Sequence, residues 1–198
     1  MPEKPAETPK SPKPRERMLD ARSLRGLAHP LRIRILASLR HDGPSTASQL
    51  AERLGESSGS TSYHLRQLSA HGFVEDAPER GKGRERWWKA QDEGTMLDES
   101  LLDDDPATRG AADLFRHEIA TIHTQEMSTW LGTAHDWSPE WRRGSDLSDF
   151  TLRLTAEQSA EVIQKLHDVL NSYRDLPPAE GAETVRFHTH ALPRRSGN

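Results

Sequence analysis

The chain has no cysteine among its 198 residues, which excludes a disulfide framework, a thiolate metal site and a thiol redox sensor. It also has no apolar run near the roughly 20 residues that a membrane-spanning helix needs. Its first 17 residues, MPEKPAETPKSPKPRER, lack the apolar core of a secretory signal. These absences together lead us to expect a cytoplasmic protein.

Recognisable catalytic patterns are absent as well. No carboxylate pair, Ser/His/Asp arrangement or glycine-rich phosphate loop stands in a context that would give it a chemical role. The sequence therefore predicts that the protein is not an enzyme and needs no cofactor.

Charge is distributed unevenly along the chain. Residues 1–92 carry 17 Lys and Arg against 12 Asp and Glu, whereas residues 93–198 carry 10 against 19, so that the total is −4. This asymmetry, which can also arise by chance, suggests that only the front half meets a polyanion.

Residues 1–17 are rich in Pro, Lys and Glu and are expected to form a disordered arm. A first domain over residues 18–92 begins with helical patterns at LDARSLRGLA and HPLRIRILASLRHDG. A third helix, STASQLAERLG, starts with a capping box of Thr46 and Gln49 and stops at Gly55. The next helical segment follows after about three residues, which is the spacing of a helix-turn-helix.

That next segment, SSGSTSYHLRQL, begins with small polar residues that do not favour helix interiors. Helical spacing places Thr61, Leu65 and Leu68 inward and the other side of the helix outward. Small side chains there would let the backbone approach a DNA groove, and hydroxyl groups would contact phosphates or bases. The residues predicted to contact DNA on this helix are Ser58, Gly59, Ser60, Ser62, Tyr63 and Arg66. The alternative for the serines is simple capping and solvent exposure.

Two strands, FVEDA and RERWWKA, follow and are joined by the basic turn PERGKG. Arg80, Lys82 and Arg84 in and beside this turn are predicted to lie against the DNA backbone, unless the turn is merely solvated. Helices, a helix-turn-helix and a basic hairpin together are the plan of a winged helix.

The motifs LAHPLRIRIL, TASQLAERLG, STSYHLRQLSAHGFVE and RERWWKA, in this order, resemble those of the ArsR-type winged-helix transcriptional regulators over residues 20–90. The resemblance implies a homodimer that binds an inverted-repeat operator in double-stranded DNA. It also implies that a signal, here an unknown small-molecule effector, releases the protein from the operator or alters its binding. The competing hypothesis is a winged helix that binds other proteins and has no operator.

Residues 93–198 are predicted to form an α+β dimerisation or effector region. A long amphipathic helix carries an apolar stripe of Phe115, Ile119, Ile122 and Trp130, which we expect to pack against a second copy. The alternative is that the stripe packs under the chain's own last elements and leaves a monomer. Alternating residues in SDFTLRLT and ETVRFHTHAL predict two strands around a second helix, TAEQSAEVIQKLHDVLNSYRD.

Metal sensing, which the resemblance also raises, has weak support in the residues. His117 and His123 are six residues apart and so lie on different sides of the helix. His188 and His190 would point the same way from a strand, but two ligands do not make a site. No metal site is predicted.

Overall fold

The computed structural model describes residues 16–78, 85–97, 105–174, 176–177 and 179–194. The chain divides between residues 132 and 133 into two units. In the first unit the elements follow in the order β1 (Glu16–Leu19), α1 (Ala21–Leu27), α2 (Pro30–His41), β2 (Ser45–Thr46), α3 (Ala47–Leu54), α4 (Ser58–Ala70), β3 (Val74–Asp76), β4 (Trp87–Ala90), β5 (Gly94–Leu97) and α5 (Pro106–Thr133). This order confirms the predicted fold class, which is mainly helical with a small sheet and an N-terminal winged helix-turn-helix.

The first helices begin where local side chains satisfy their free backbone N–H groups. Asp20 accepts the N–H of Ser23 at 2.7 Å, and the Ser23 hydroxyl accepts the N–H of Asp20 at 2.9 Å. The predicted capping box of the third helix is confirmed in the same way: Gln49 N–H donates to Thr46 Oγ1 at 3.3 Å, and Thr46 N–H donates to Gln49 Oε1 at 2.9 Å. Each box satisfies two donors that a helix start otherwise leaves open.

A single apolar cluster holds the helices of the first unit together. Leu31, Ile35 and Leu39 of α2 are buried in it as their spacing predicts. Ile33, on another side of α2, is only 2% exposed, so this helix is covered on more than one side. Each such side chain contributes about 1.5–3 kcal/mol when it is fully buried. The other fully or nearly fully buried members include Leu19, Leu24, Leu27, Leu50, Leu65, Leu68, Phe73, Val74 and Trp88.

The wing is built on a three-stranded antiparallel sheet in the order β2-β4-β3. Trp88 lies opposite both Ser45 of β2 and Asp76 of β3. Its side chain is 4% exposed, whereas that of Trp87 is half-buried. The central strand therefore turns one tryptophan into the core and leaves the other partly at the surface.

A strand pair that the sequence analysis did not include joins the two ends of the winged helix. β1 pairs in parallel with β5, with Glu16 opposite Gly94 and Leu19 opposite Leu97. The last two residues of the predicted arm, Glu16 and Arg17, are therefore in a strand and not in a disordered arm. The Arg17 side chain also donates a 2.7 Å hydrogen bond to the carbonyl of Gly72. The rest of the predicted arm lies outside the described residues.

The second unit contains a 3₁₀ turn (Ala134–Asp136), α6 (Pro139–Gly144) and α7 (Ala156–Arg174). Ser138 caps α6 by accepting the N–H of Trp141 at 3.4 Å. The rings of Trp137 and Trp141 meet edge to face, with centroids 6.2 Å apart. No helix in the described ranges is both long and apolar enough to cross a membrane.

The two strands predicted in the second unit are not formed. Residues 148–155 and 183–192 all lie in the described part of the chain, and none of them is in a strand. A strand needs a hydrogen-bonded neighbour as well as an alternating pattern. The apolar side chains that alternate here are instead exposed, to 84% for Phe150 and 68% for Phe187.

Candidate nucleic-acid interface

The helix-turn-helix consists of α3 and α4 with a turn of Gly55, Glu56 and Ser57 between them. Gly55 has a φ of 68°, a left-handed conformation that glycine adopts without steric cost. Its N–H bonds back to the carbonyls of Ala51 and Glu52, which ends α3. The turn has the length that the sequence predicts.

The start of α4 is capped by Ser57, a role that the sequence analysis did not assign. Ser57 Oγ accepts the N–H of Ser60 at 3.2 Å, and its carbonyl accepts the Thr61 hydroxyl at 3.0 Å. A serine two residues after the glycine stop and three residues before Ser60 was the signal that could have identified it. Because Ser57 caps the helix, the hydroxyls of the serines that follow are not needed for capping.

The two sides of α4 separate as predicted. Thr61, Leu65 and Leu68 are 0% exposed and face the core. On the other side, Tyr63 is 52% exposed, Ser58, Gly59 and Arg66 are exposed, and Ser60 and Ser62 are half-buried. In the part of the chain that the structure describes, the hydroxyls of Ser58, Ser60 and Ser62 make no hydrogen bond. We call this side of α4, formed by Ser58, Gly59, Ser60, Ser62, Tyr63 and Arg66, the outer face.

Arg66 differs from two arginines on α2 and α3 that make internal hydrogen bonds. Arg34 donates to the carbonyl of Leu54 at 2.8 Å, which holds the end of α3. Arg53 donates to Ser38 Oγ at 2.7 Å and to Asp42 at 3.0 Å. Among the described residues Arg66 has no hydrogen-bond or ion-pair partner. Its guanidinium is therefore available for an external anion or base edge.

His64, beside the outer face, is packed inside the fold. It is 8% exposed, its ring centroid lies 4.3 Å from that of His29, and its Nδ1 has no hydrogen-bond partner. Burial, and then the charges of His29 and Arg32, lower the pKa of His64. His29 in turn accepts the N–H of Leu31 at 3.1 Å and caps α2. The ring of Tyr63 packs edge to face against that of His64, with centroids 5.1 Å apart.

At the stem of the wing, Arg86 bonds to both carboxylate oxygens of Asp76 and lies 3.9 Å over the ring of Trp88. This contact is internal to the hairpin, so Arg86 braces the wing rather than extending from it. Arg80, Lys82 and Arg84, which were predicted to contact DNA, lie outside the described residues.

The predicted dimer stripe is on α5. Phe115, Ile119 and Ile122 pack against the core of the first unit but remain half-buried, and Trp130 is half-buried too. Packing on the chain's own core therefore accounts for part of the stripe, and its role between two copies stays a prediction. Within the described ranges, no three His, Asp or Glu side chains are grouped as metal ligands.

Residues 27–77, 51 of the 198, match the family model of a helix-turn-helix domain. The chain therefore contains such a domain, and the match does not distinguish the ArsR type from others. No curated protein matches the chain.

Among solved structures, a mutant of ZitR from Lactococcus lactis in apo form is 19% identical, with 76% of this chain and 86% of that chain covered and a TM-score of 0.32. The transcriptional regulator Tm0710 from Thermotoga maritima is 14% identical, with 77% and 81% covered and a TM-score of 0.32. Wild-type ZitR in complex with DNA is 18% identical, with 72% and 73% covered and a TM-score of 0.30. Likeness this weak carries no further conclusion.

Proposed function

We propose that this protein is a sequence-specific DNA-binding transcriptional regulator of the ArsR-like winged-helix type, which acts as a homodimer on an inverted-repeat operator. The observation that carries the proposal is the outer face of α4. A recognition helix must present small side chains, free donors and a cation to the DNA, and this face presents all three.

The geometry suggests a role for each part of the outer face. The exposed backbone at Gly59 would allow α4 to enter the major groove closely, while the free hydroxyls of Ser58, Ser60 and Ser62 donate to phosphates or base edges. Tyr63, fixed by His64, would pack against a sugar or a thymine methyl group. Arg66 would reach a guanine edge or a phosphate.

Selection of bound fragments from random duplex DNA tests this function directly. We expect fragments that contain two related half-sites in inverted orientation, because a two-fold dimer meets a two-fold site. Affinity should fall log-linearly with salt as counterions are released. If no fragment is selected, and if any residual affinity for DNA does not depend on the salt concentration, the alternative of a protein-binding module would be favoured.

The Arg66→Ala substitution separates base recognition from phosphate contact. We expect specific binding to weaken by about 1–3 kcal/mol and preference to relax at one operator position. Arg142→Ala is the matched control, because it removes the same charge from an exposed arginine of the second unit. Equal losses on specific and random DNA would assign Arg66 to a phosphate, and unchanged binding to both would remove it from the interface.

The homodimer is proposed to form along the α5 stripe of Phe115, Ile119, Ile122 and Trp130. Two copies packed there would set their recognition helices about 34–36 Å apart, one turn of DNA. Light scattering over a dilution series should show that the Phe115→Asp, Ile122→Asp double variant dissociates at higher protein concentrations than the parent. Ala120→Asp, at an exposed position of the same helix, is the control. A monomeric parent, or an undiminished dimer in a double variant that keeps its helical circular dichroism, would contradict this interface.

A further inference from the structure

Residues 148–155, which we call the alternating segment, have the side-chain pattern of a strand. Phe150, Leu152 and Leu154 alternate along it and are 84%, 63% and 44% exposed. Asp149, Thr151 and Arg153 occupy the positions between them. A period of two gives a strand one apolar side and one polar side, so the pattern fits a strand that is covered on one side.

The backbone of this segment is not used within the chain. In the described part of the structure, residues 149–154 have no hydrogen bond of any kind. Asp149 and Arg153 likewise have no ion-pair partner among the described residues. A segment with unused backbone donors and acceptors and an apolar side is a template for another strand.

The second unit exposes enough apolar surface for a stable interface. Three aromatic side chains there are at least 68% exposed, and each can bury about 150–250 Å². With the exposed aliphatic side chains the apolar surface is on the order of 800 Å², about what one partner contributes to a standard interface. The side chains counted are Phe150, Leu152, Leu154, Leu166, Val169, Tyr173, Val185, Phe187 and Leu192.

We propose that the alternating segment pairs antiparallel with the same segment of a second copy, with the two-fold axis at Thr151. In this register Asp149 of each copy lies opposite Arg153 of the other, so that two ion pairs form on the polar side. Phe150 lies opposite Leu152 on the apolar side. Over residues 149–153 the segment is thus complementary to itself in both charge and apolar character, which directly opposed cross-strand pairs require.

The chain's own segment 183–192 is a poorer partner. It is joined to the alternating segment through α7, and a crossover through a helix brings two strands together in parallel. Its polar positions carry Arg186, His188 and His190, which offer the Arg153 side chain no acidic partner. A second copy supplies Asp149 as the acidic partner of Arg153, and for this reason we assign the pairing to a second copy and not to residues 183–192.

Cross-linking through one introduced cysteine tests the register, because the chain has no cysteine of its own. With Thr151→Cys, two thiols face each other across the axis. Opposed residues in antiparallel strands have Cα atoms about 4.5–5.5 Å apart, within the roughly 4.4–6.8 Å that a disulfide requires. The matched control is Ser148→Cys, whose two copies would be separated by six strand positions, or roughly 20 Å.

Under mild oxidation of the full chain we expect a covalent dimer from Thr151→Cys and at least about tenfold less from Ser148→Cys. Equal yields from the two variants would mean random collision and would overturn the proposal. Absence of the dimer in both would overturn it too, as would pairing of residues 148–155 with 183–192 in a monomer, seen as amide protection that does not depend on protein concentration.

Charge reversal gives a second, independent measurement. Asp149→Arg or Arg153→Asp, each combined with Thr151→Cys, places like charges opposite each other twice and should lower the cross-link yield about tenfold. The two reversals together restore opposite charges and should restore the yield. Failure of the double reversal to restore it would refute the register even if the single reversals lower the yield.

This inference does not depend on DNA binding, and the two can fail separately. Arg66→Ala should leave the Thr151→Cys cross-link unchanged. A cross-link in a protein that selects no DNA would refute only the proposed function, whereas operator binding without a cross-link would refute only the strand pairing.

Discussion

Replacing Gly59 with alanine should stabilise the protein and weaken its binding to DNA. Gly59 lies in the first turn of α4 with an ordinary helical backbone, and a Cβ atom added there meets no atom within 4 Å. Alanine is more favourable than glycine in a helix by about 0.5–1 kcal/mol. We therefore expect a rise in Tm of roughly 2–8 °C, since about 1 kcal/mol corresponds to 4–8 °C in a domain of the size of the winged helix.

The effect on DNA binding should have the opposite sign. The added methyl group would stand on the outer face, where the proposed function needs the backbone to approach the groove. A clash of this kind costs about 1–3 kcal/mol, the same range as overpacking in a core. Fluorescence anisotropy with a labelled operator would then show a dissociation constant raised about fivefold or more, while the melting curve moves upward.

Gly110→Ala is the matched control, since Gly110 is also helical, in α5, and its added Cβ also meets nothing within 4 Å. We expect it to stabilise the protein in the same way and to leave DNA binding unchanged. If Gly59→Ala binds the operator as tightly as the parent, close approach of the backbone at this position is refuted. If it lowers the Tm, the reasoning from helix propensity is wrong.

Three other perturbations follow from contacts in the first unit. Because the pKa of His64 is lowered from 6.5, the unfolded chain takes up a proton before the folded one as the pH falls, so the free energy of unfolding should decrease below about pH 6.5. Urea unfolding at several pH values should show that this free energy depends less on pH in His64→Gln than in the parent, and the dependence that remains is due to His71, whose pKa is also lowered. Gly26→Ala should destabilise by about 1–3 kcal/mol, because its Cβ would lie 2.6 Å from Cγ of His71, and His71→Ala in the same chain should recover part of that loss in thermal unfolding; no recovery would refute the clash. Thr46→Ala should cost about 0.5–2 kcal/mol through loss of the capping box, whereas Ala at the exposed Ser48 should change the unfolding midpoint little.

The helix-turn-helix could be predicted from the sequence because its determinants are local. The pairing of Thr46 with Gln49, the glycine stop at Gly55 and the apolar spacing in α4 each act within a few residues. The outward position of Tyr63 and Arg66 followed from the helical period alone. Such short-range signals and their tertiary outcome agree here, as is usual for sequences that fold cooperatively.

The features that escaped prediction depend on partners far along the chain. β1 and β5 are four residues each and pair across more than 70 positions, and neither ERML nor GTML alternates clearly. The ring contact of His64 with His29 likewise joins residues of two different helices, 35 positions apart. The alternating segment has the period of a strand, but a strand forms only where a second strand is available, and periodicity does not reveal whether one is.

The parallel pairing of β1 with β5 has a mechanical consequence. In parallel strands the amino end of one and the carboxyl end of the other lie at opposite ends of the pair, as Glu16 and Leu97 do here. Tension applied between residues 16 and 97 therefore loads the strand hydrogen bonds together in shear instead of opening them one after another. We therefore expect a force applied to the chain beyond residue 97 to be resisted by the whole strand pair, and not to separate β1 from β5 one hydrogen bond at a time.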